Sequence, residues 1–179
     1  MKLLLLVATL FAANLANAAL LDAATQAKVD AKIKEIQSWA AADEVVSAVR
    51  SANTAKSPDA AAMNQDKWKT LTLLDPFVRS FAKNPAGEFL RSKKSDAVTE
   101  AFLSCADGSK VAFLSKSSNW SHKGKLKHEA PMSGKTWQGD PEVDESTGLQ
   151  QVQVAVPVMD GGKAIGSLVV GLSIGALSH

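Results

Sequence analysis

The chain has 179 residues, 46% of them hydrophobic and 21% charged, which is enough apolar material for one domain with its own core. Twenty lysines and arginines against eighteen acids leave a formal charge of +2, a balance that argues against a nucleic-acid binder and against an enzyme of acidic substrates. The single cysteine, Cys105, excludes an internal disulfide, and its apolar surroundings predict a buried, inert thiol.

Met1-Lys2 supplies a short positive start, Leu3 to Ala13 an apolar run, and Ala16-Asn17-Ala18 a small-residue cleavage site. Residues 1–18 therefore read as a signal peptide with cleavage before Ala19. The apolar run is shorter than the roughly 20 residues a bilayer span needs, so no membrane span is expected after cleavage. The mature chain is expected to be exported and soluble, in a bacterial periplasm or outside the cell.

From 19 to 50 no glycine or proline interrupts the chain, and Leu21, Val29, Ile33, Ile36, Ala40, Val45 and Val49 fall near one helical stripe. One long N-terminal helix is predicted, with Asp22 as its cap. At 1.5 Å per residue it would be about 45 Å long, more than a compact domain needs, so part of it should project or pair with a second copy in a homodimer. Residues 51–66 read as a polar connection with a helical turn after Ser57. The segment 67–83 carries Trp68, Leu71, Leu74, Phe77, Val78 and Phe81 at helical spacing, and Pro76 divides it, with Asp75 capping the second part. Asn84-Pro85-Ala86-Gly87 reads as the end of this unit, with Glu88 to Arg91 as a last helical turn or a short bridge.

After Asp96 the period becomes extended. Two apolar stretches, 97–105 and 110–115, flank Asp107-Gly108, the signature of a tight hairpin. Residues 116–143 show no clean period and hold Trp120, His122, His128, Trp137 and five lysines, so they read as a long ordered loop with a functional role. Then Val152, Val154, Val156 and Val158 alternate with Gln151, Gln153 and Ala155, a half-buried strand. Asp160-Gly161-Gly162 reverses the chain, and Ile165 to Ile174 returns as a second, more apolar strand. Pro157 should sit at a bulge or on an outward-facing backbone position. The order predicts an α+β domain: an antiparallel sheet of about five strands, packed by the long N-terminal helix and further helices.

The ending carries a resemblance. Asp144-Glu145-Ser146-Thr147-Gly148, Val156-Pro157-Val158, Asp160-Gly161-Gly162-Lys163 and Ile165-Gly166-Ser167-Leu168, in that order after a long N-terminal helix, resemble the Cache (PDC, extracytoplasmic PAS-like) sensor domains of bacterial receptors. The resemblance covers 20–177. It implies a PAS-like sheet over 97–176 with a ligand loop at 116–143, and a single sensor domain over 19–179. Membrane-bound members continue from the last strand into a transmembrane helix, whereas this sequence stops at His179, so the resemblance implies a free-standing exported module that relays through a partner protein.

Enzyme motifs are missing: there is no G-x-S-x-G elbow, H-E-x-x-H pair, P-loop or haem-attachment sequence. No catalytic residue, cofactor or metal is assigned. His122 and His128 with Glu129 would need a third ligand to hold a metal ion, and a hydrolase built from Ser121 or Ser133, a loop histidine and Asp144 lacks any oxyanion donor. A ligand pocket is better founded. Trp120 and Trp137 bracket the loop, and Lys116, Lys123, Lys125, Lys127 and Lys135 surround them, a combination suited to a small carboxylate or amino acid. The pocket residues expected are Trp120, His122, Lys123, Trp137 and Asp144, the last because the resemblance implies a carboxylate there for a ligand amine. The alternative is a structural or interaction protein that docks on a membrane receptor, its tryptophans in the core, Asp144 capping a turn and the pocket filled by its own side chains.

Overall fold

Residues 21–143 and 148–178 are described by the computed structural model, so the signal-peptide reading of 1–18 and the placement of Asp144 lie outside the described residues. Asp22 caps α1 (Ala23–Ala40), its carboxylate accepting the Thr25 amide at 2.9 Å and the Thr25 hydroxyl at 2.7 Å. Ala42 is then extended, and α2 runs over Asp43–Thr54. The single helix predicted over 19–50 is thus two. Nothing in Ala40-Ala41-Ala42 disfavours helix, so tertiary packing sets the break, and Asp43 and Glu44 favour the new N-terminus through the helix dipole.

Short helices follow: α3 (Pro58–Ala61), capped by Ser57; α4 (Gln65–Thr70); α5 (Pro76–Lys83), capped by Asp75 with Pro76 at its first position; and α6 (Pro85–Ser92). Asn84 does not merely end α5: its side chain accepts from the Gly87 amide at 2.7 Å and opens α6. Gly87 is required there, because a Cβ would stand 2.4 Å from the Phe81 carbonyl oxygen. The strands are β1 (Val98–Cys105) and β2 (Lys110–Phe113), then, after α7 (Leu126–Met132), β3 (Trp137–Gln138), β4 (Glu142–Val143), β5 (Gln150–Asp160) and β6 (Lys163–Ser173). A final turn of helix, α8 (Ile174–Ser178), closes the described chain. The stretch 116–143, expected to be loop throughout, contains α7, too short for its period to show against the flanking lysines.

Among the described residues all strands join one antiparallel sheet in the order β2-β1-β6-β5-β3, with β4 also on β5. Pro157 stands opposite Ser167, and the ladder shifts register between Val158 and Met159. Alternation sorts the sheet into two faces. On one, Val152, Val154, Val156 and Val158 join Leu103, Leu168, Val170 and Leu172 under Val29 and Ile36 of α1, Val45 and Val49 of α2, and Leu90 of α6. Each of these valines is fully buried, which stabilises the fold by on the order of 1.5 kcal/mol apiece relative to exposure. The other face has an aromatic half, where Phe102, Phe113, Ala155 and Val169 meet Trp68, Val78, Phe81 and Trp120. Its remaining part is polar.

Candidate ligand-binding site

The polar part of that second face follows from the same alternation that builds the valine core. If Val152 and Val154 point inward, Gln151 and Gln153 must point the other way, and both are nonetheless buried. Glu100 of β1 and Gln153 of β5 both stand opposite Gly171 of β6, which lies between them. With no side chain at Gly171, the two flanking side chains meet across the central strand, and Gln153 donates to the Glu100 carboxylate. Gln151 donates to the same oxygen at 3.5 Å and accepts the Thr99 hydroxyl at 2.7 Å. A Cβ on Gly171 would lie 2.6 Å from both the Gln151 carbonyl and the Thr99 hydroxyl. The result is a trough across three strands, floored by Phe102 and walled by residues 115–119, His122, Lys127, Glu142 and Val143, with a volume of about 590 Å³.

Two amines, of Lys116 and Lys127, and the imidazole of His122 line this cavity, and a third amine, that of Lys110, contacts two of its lining residues. Lys127 donates to the Gln153 carbonyl at 2.7 Å. Lys116 lies with its ammonium 4.5 Å from the centre of the Trp68 ring. His122 stacks on Phe102 with ring centres 4.6 Å apart, and its Nδ1 lies 2.5 Å from the Lys110 amine. That amine is buried and lies 3.9 Å from the centre of the Phe102 ring. Burial lowers the pKa of Lys110 well below that of an ordinary lysine, and Lys127 adds to the effect. Burial likewise pushes His122 down to about 2, with Lys110 and Lys127 contributing, so His122 is neutral. Burial lowers Lys127 and Lys116 as well.

The five residues expected at the site are distributed differently. His122 lines the cavity. Trp120 packs in the aromatic core, 5.2 Å from Trp68 and 5.7 Å from Phe81 between ring centres. Trp137, half-buried, packs against the same cluster. Lys123 is exposed, and its amide donates to the Ser121 hydroxyl. Of the surrounding lysines, Lys116 and Lys127 line the cavity. Glu100, Phe102, Gln151, Gln153 and Lys110 were not anticipated; the available signal was a pair of glutamines on a strand whose other face is valine, beside a glycine inside the next strand.

His122 and His128 are not solvated loop residues. His128 is buried, its ring nitrogens 2.8 Å from the Ser167 hydroxyl and 3.3 Å from the Ala106 carbonyl oxygen. Ser121 and Ser133 bond instead to the carbonyls of Asp107 and Glu129. Among the described residues no three His, Cys, Asp or Glu side chains converge as a metal site would require. Cys105 is buried and its thiol is pushed up by burial, within 3.1 Å of Asp107 and Ser109. A larger cleft of about 770 Å³ between α2 and α5 is lined by Ala48, Ala52, Ala55, Phe77 and Phe81 together with polar residues that include Asp43, Glu44, Ser51, Ser80 and Lys110. Of its polar side chains, Lys56 is engaged with Asp107 and Ser109, and Asn84 with the Val111 carbonyl.

No protein-family model and no curated protein matches the chain. Solved structures do. The sensor domain of the Vibrio cholerae histidine kinase DctB superposes with a TM-score of 0.50 at 15% identity, over 86% of this chain and 53% of that one. The ligand-binding domain of the Pseudomonas aeruginosa amino-acid chemoreceptor PctC, solved in complex with GABA, gives 0.48 at 13% identity, over 86% and 56%. The chain thus spans about half the length of these sensor domains. No described helix is long and apolar enough to cross a membrane. The antiparallel sheet, its helical cover and this superposition agree: the chain has the fold of a Cache-type, PAS-like extracytoplasmic sensor domain.

Proposed function

We propose that the chain is an exported, non-enzymatic sensor-like module that binds a small organic carboxylate or amino acid in the Gly171 trough and passes its occupancy to a partner protein. The observation that carries this reading is the trough itself. Glu100 and Gln153 meet across a bare Gly171 beneath an open cavity, on a face where side chains would otherwise close the space. Buried amides, a carboxylate and amines converging over an aromatic floor can orient a molecule of a few heavy atoms without reacting with it. In this reading Lys127, Lys116 and His122 hold the ligand's carboxylate, Glu100 or Asp144 takes an amine where one is present, and Phe102 bears the apolar body. In the same reading residues 1–18 act as a signal peptide that sends the mature domain to the periplasm or outside the cell, and two copies pair through the N-terminal helical segment.

A thermal-shift panel of carboxylates and amino acids tests it. A ligand at 100 times its dissociation constant stabilises the native state by about 2.7 kcal/mol, several degrees in melting temperature. Gly171→Val displaces the side chains of Thr99, Glu100 and Gln151 that line the trough and should abolish the shift. If no compound moves the wild-type protein, or if Gly171→Val responds equally, the trough is not the site.

A further inference from the structure

The cleft between α2 and α5 lies apart from the trough: among the described residues none lines both. Its walls follow from two helical periods. Glu44, Ser47, Ala48, Ser51, Ala52 and Ala55 recur at three- and four-residue intervals on one side of α2, beside the core stripe of Val45 and Val49. Phe77, Ser80, Phe81 and Asn84 recur in the same way along α5 and its end. Both helices pack on α6, and the small side chains of α2 leave the space in front of the two phenylalanines unfilled. Its volume of about 770 Å³ falls in the range of small-molecule sites, roughly 300–1,000 Å³.

Charge decides what that space suits. The charged side chains lining it are Asp43, Glu44, Lys56 and Lys110. Lys56 is engaged with Asp107 and Ser109. The amine of Lys110 is held at Phe102 and His122, which line the trough and not the cleft. Arg50, whose charge interacts with Asp43, is committed to Asp160 by hydrogen bonds at 2.7 and 2.9 Å. Asp43 and Glu44 enter no ion pair among the described residues, and the α2 dipole supplies only part of their counter-charge. Lysines stand over Trp68, Phe89 and Phe102, but among the described residues none stands over Phe77 or Phe81. We propose that this cleft is a second binding site, separate from the trough, for an organic cation with an apolar body. An alkyl- or arylammonium would set its charge toward Asp43 and Glu44 and rest its body on Phe77, Phe81 and the alanines of α2. Carboxylates and aromatic faces both favour a cation, whereas an anion of the same shape meets like charge.

Three probes share one body and differ in charge at about pH 7: 4-phenylbutylamine, 4-phenylbutanol and 4-phenylbutyrate are positive, neutral and negative. Each is titrated calorimetrically against the wild type, Ser51→Trp, the double variant Asp43→Asn with Glu44→Gln, and Gly171→Val. The amine should bind the wild type about fivefold more tightly than the alcohol, and the butyrate most weakly. Ser51 is exposed on the cleft side of α2, so its replacement by tryptophan fills the cleft without entering the core and should abolish binding. The double variant should bind the amine no more tightly than the alcohol, and its continued binding of the alcohol shows that it folds. Gly171→Val should bind the amine as the wild type does. If the alcohol or the butyrate equals the amine on the wild type, or if the double variant keeps the full preference, the cation assignment is overturned. Amine binding that is lost in Gly171→Val and kept in Ser51→Trp belongs to the trough and overturns the second site. If none of the three binds, the cleft is not a site, and the trough is still judged by its own panel.

Discussion

His122 is the residue whose environment differs most from what its position in the sequence suggests. A histidine in a lysine-rich stretch would ordinarily titrate near neutrality, yet here it is stacked on Phe102 and held neutral against Lys110. Its pKa is depressed in the folded state, so the unfolded chain binds more protons below the ordinary histidine value of about 6.5, and native stability must fall as pH drops beneath it. The slope from this one group is about 1.4 kcal/mol per pH unit at most. Unfolding in urea at pH 7 and pH 5 should show that decline in the wild type, and His122→Gln should lessen it. Asp107 acts in the same direction: burial opposes its ionisation, but hydrogen bonds from Lys56, Ser109 and Cys105 override that and hold it well below the carboxylate range. Its contribution is present above the unfolded aspartate pKa and lost only in strong acid. At this scale the site was half legible. Lysines and histidine in a long segment announced polar chemistry, whereas the tryptophans' composition could not distinguish a pocket wall from a core, and only packing does.

Element boundaries were legible where a side chain marks them. Asp22, Ser57 and Asp75 each accept a backbone amide at the start of a helix, and Pro76 occupies the first position its fixed φ suits. The break between α1 and α2 carries no such mark, because Ala42 is extended and contributes no side-chain cap. The substitution Ala42→Ser supplies one, and should raise the free energy of unfolding by about 0.5–1 kcal/mol, read as a shift in the denaturant midpoint. The opposite change, Asp75→Ala, should cost about 1 kcal/mol by the same measurement. The hairpins were legible because glycine at positive φ is a local demand: Gly108, Gly161 and Gly162 have φ of 80°, 55° and 81°. By contrast α7 was hidden, since seven residues with a proline among them make too few turns to reveal a period.

The molecule as a whole is a sheet with unlike faces, and the two should respond differently to damage. Truncating the aromatic side, as in Trp68→Ala, removes edge contacts to Phe81 and Phe113 and the indole hydrogen bond to the Ser117 carbonyl. It should cost about 3–5 kcal/mol, measured by chemical denaturation. Changes in the polar part, such as Gln153→Leu, should cost far less stability while removing a partner of Glu100 and Lys127. The general plan was visible in the sequence because alternation over 152–158 fixes which side of the strand is core. That its reverse side would be a trough depended on Gly171 arriving opposite Glu100 and Gln153, a register no single segment encodes. The outline of the sheet has its own consequence. Its longest strands, β5 and β6, lie inside, while the rims are the four residues of β2 and the two-residue pieces β3 and β4. Such short rims give a foreign strand little backbone to zip onto, so concentrated samples should keep thioflavin T dark, and any self-association should proceed through helical surfaces rather than by lengthening the sheet.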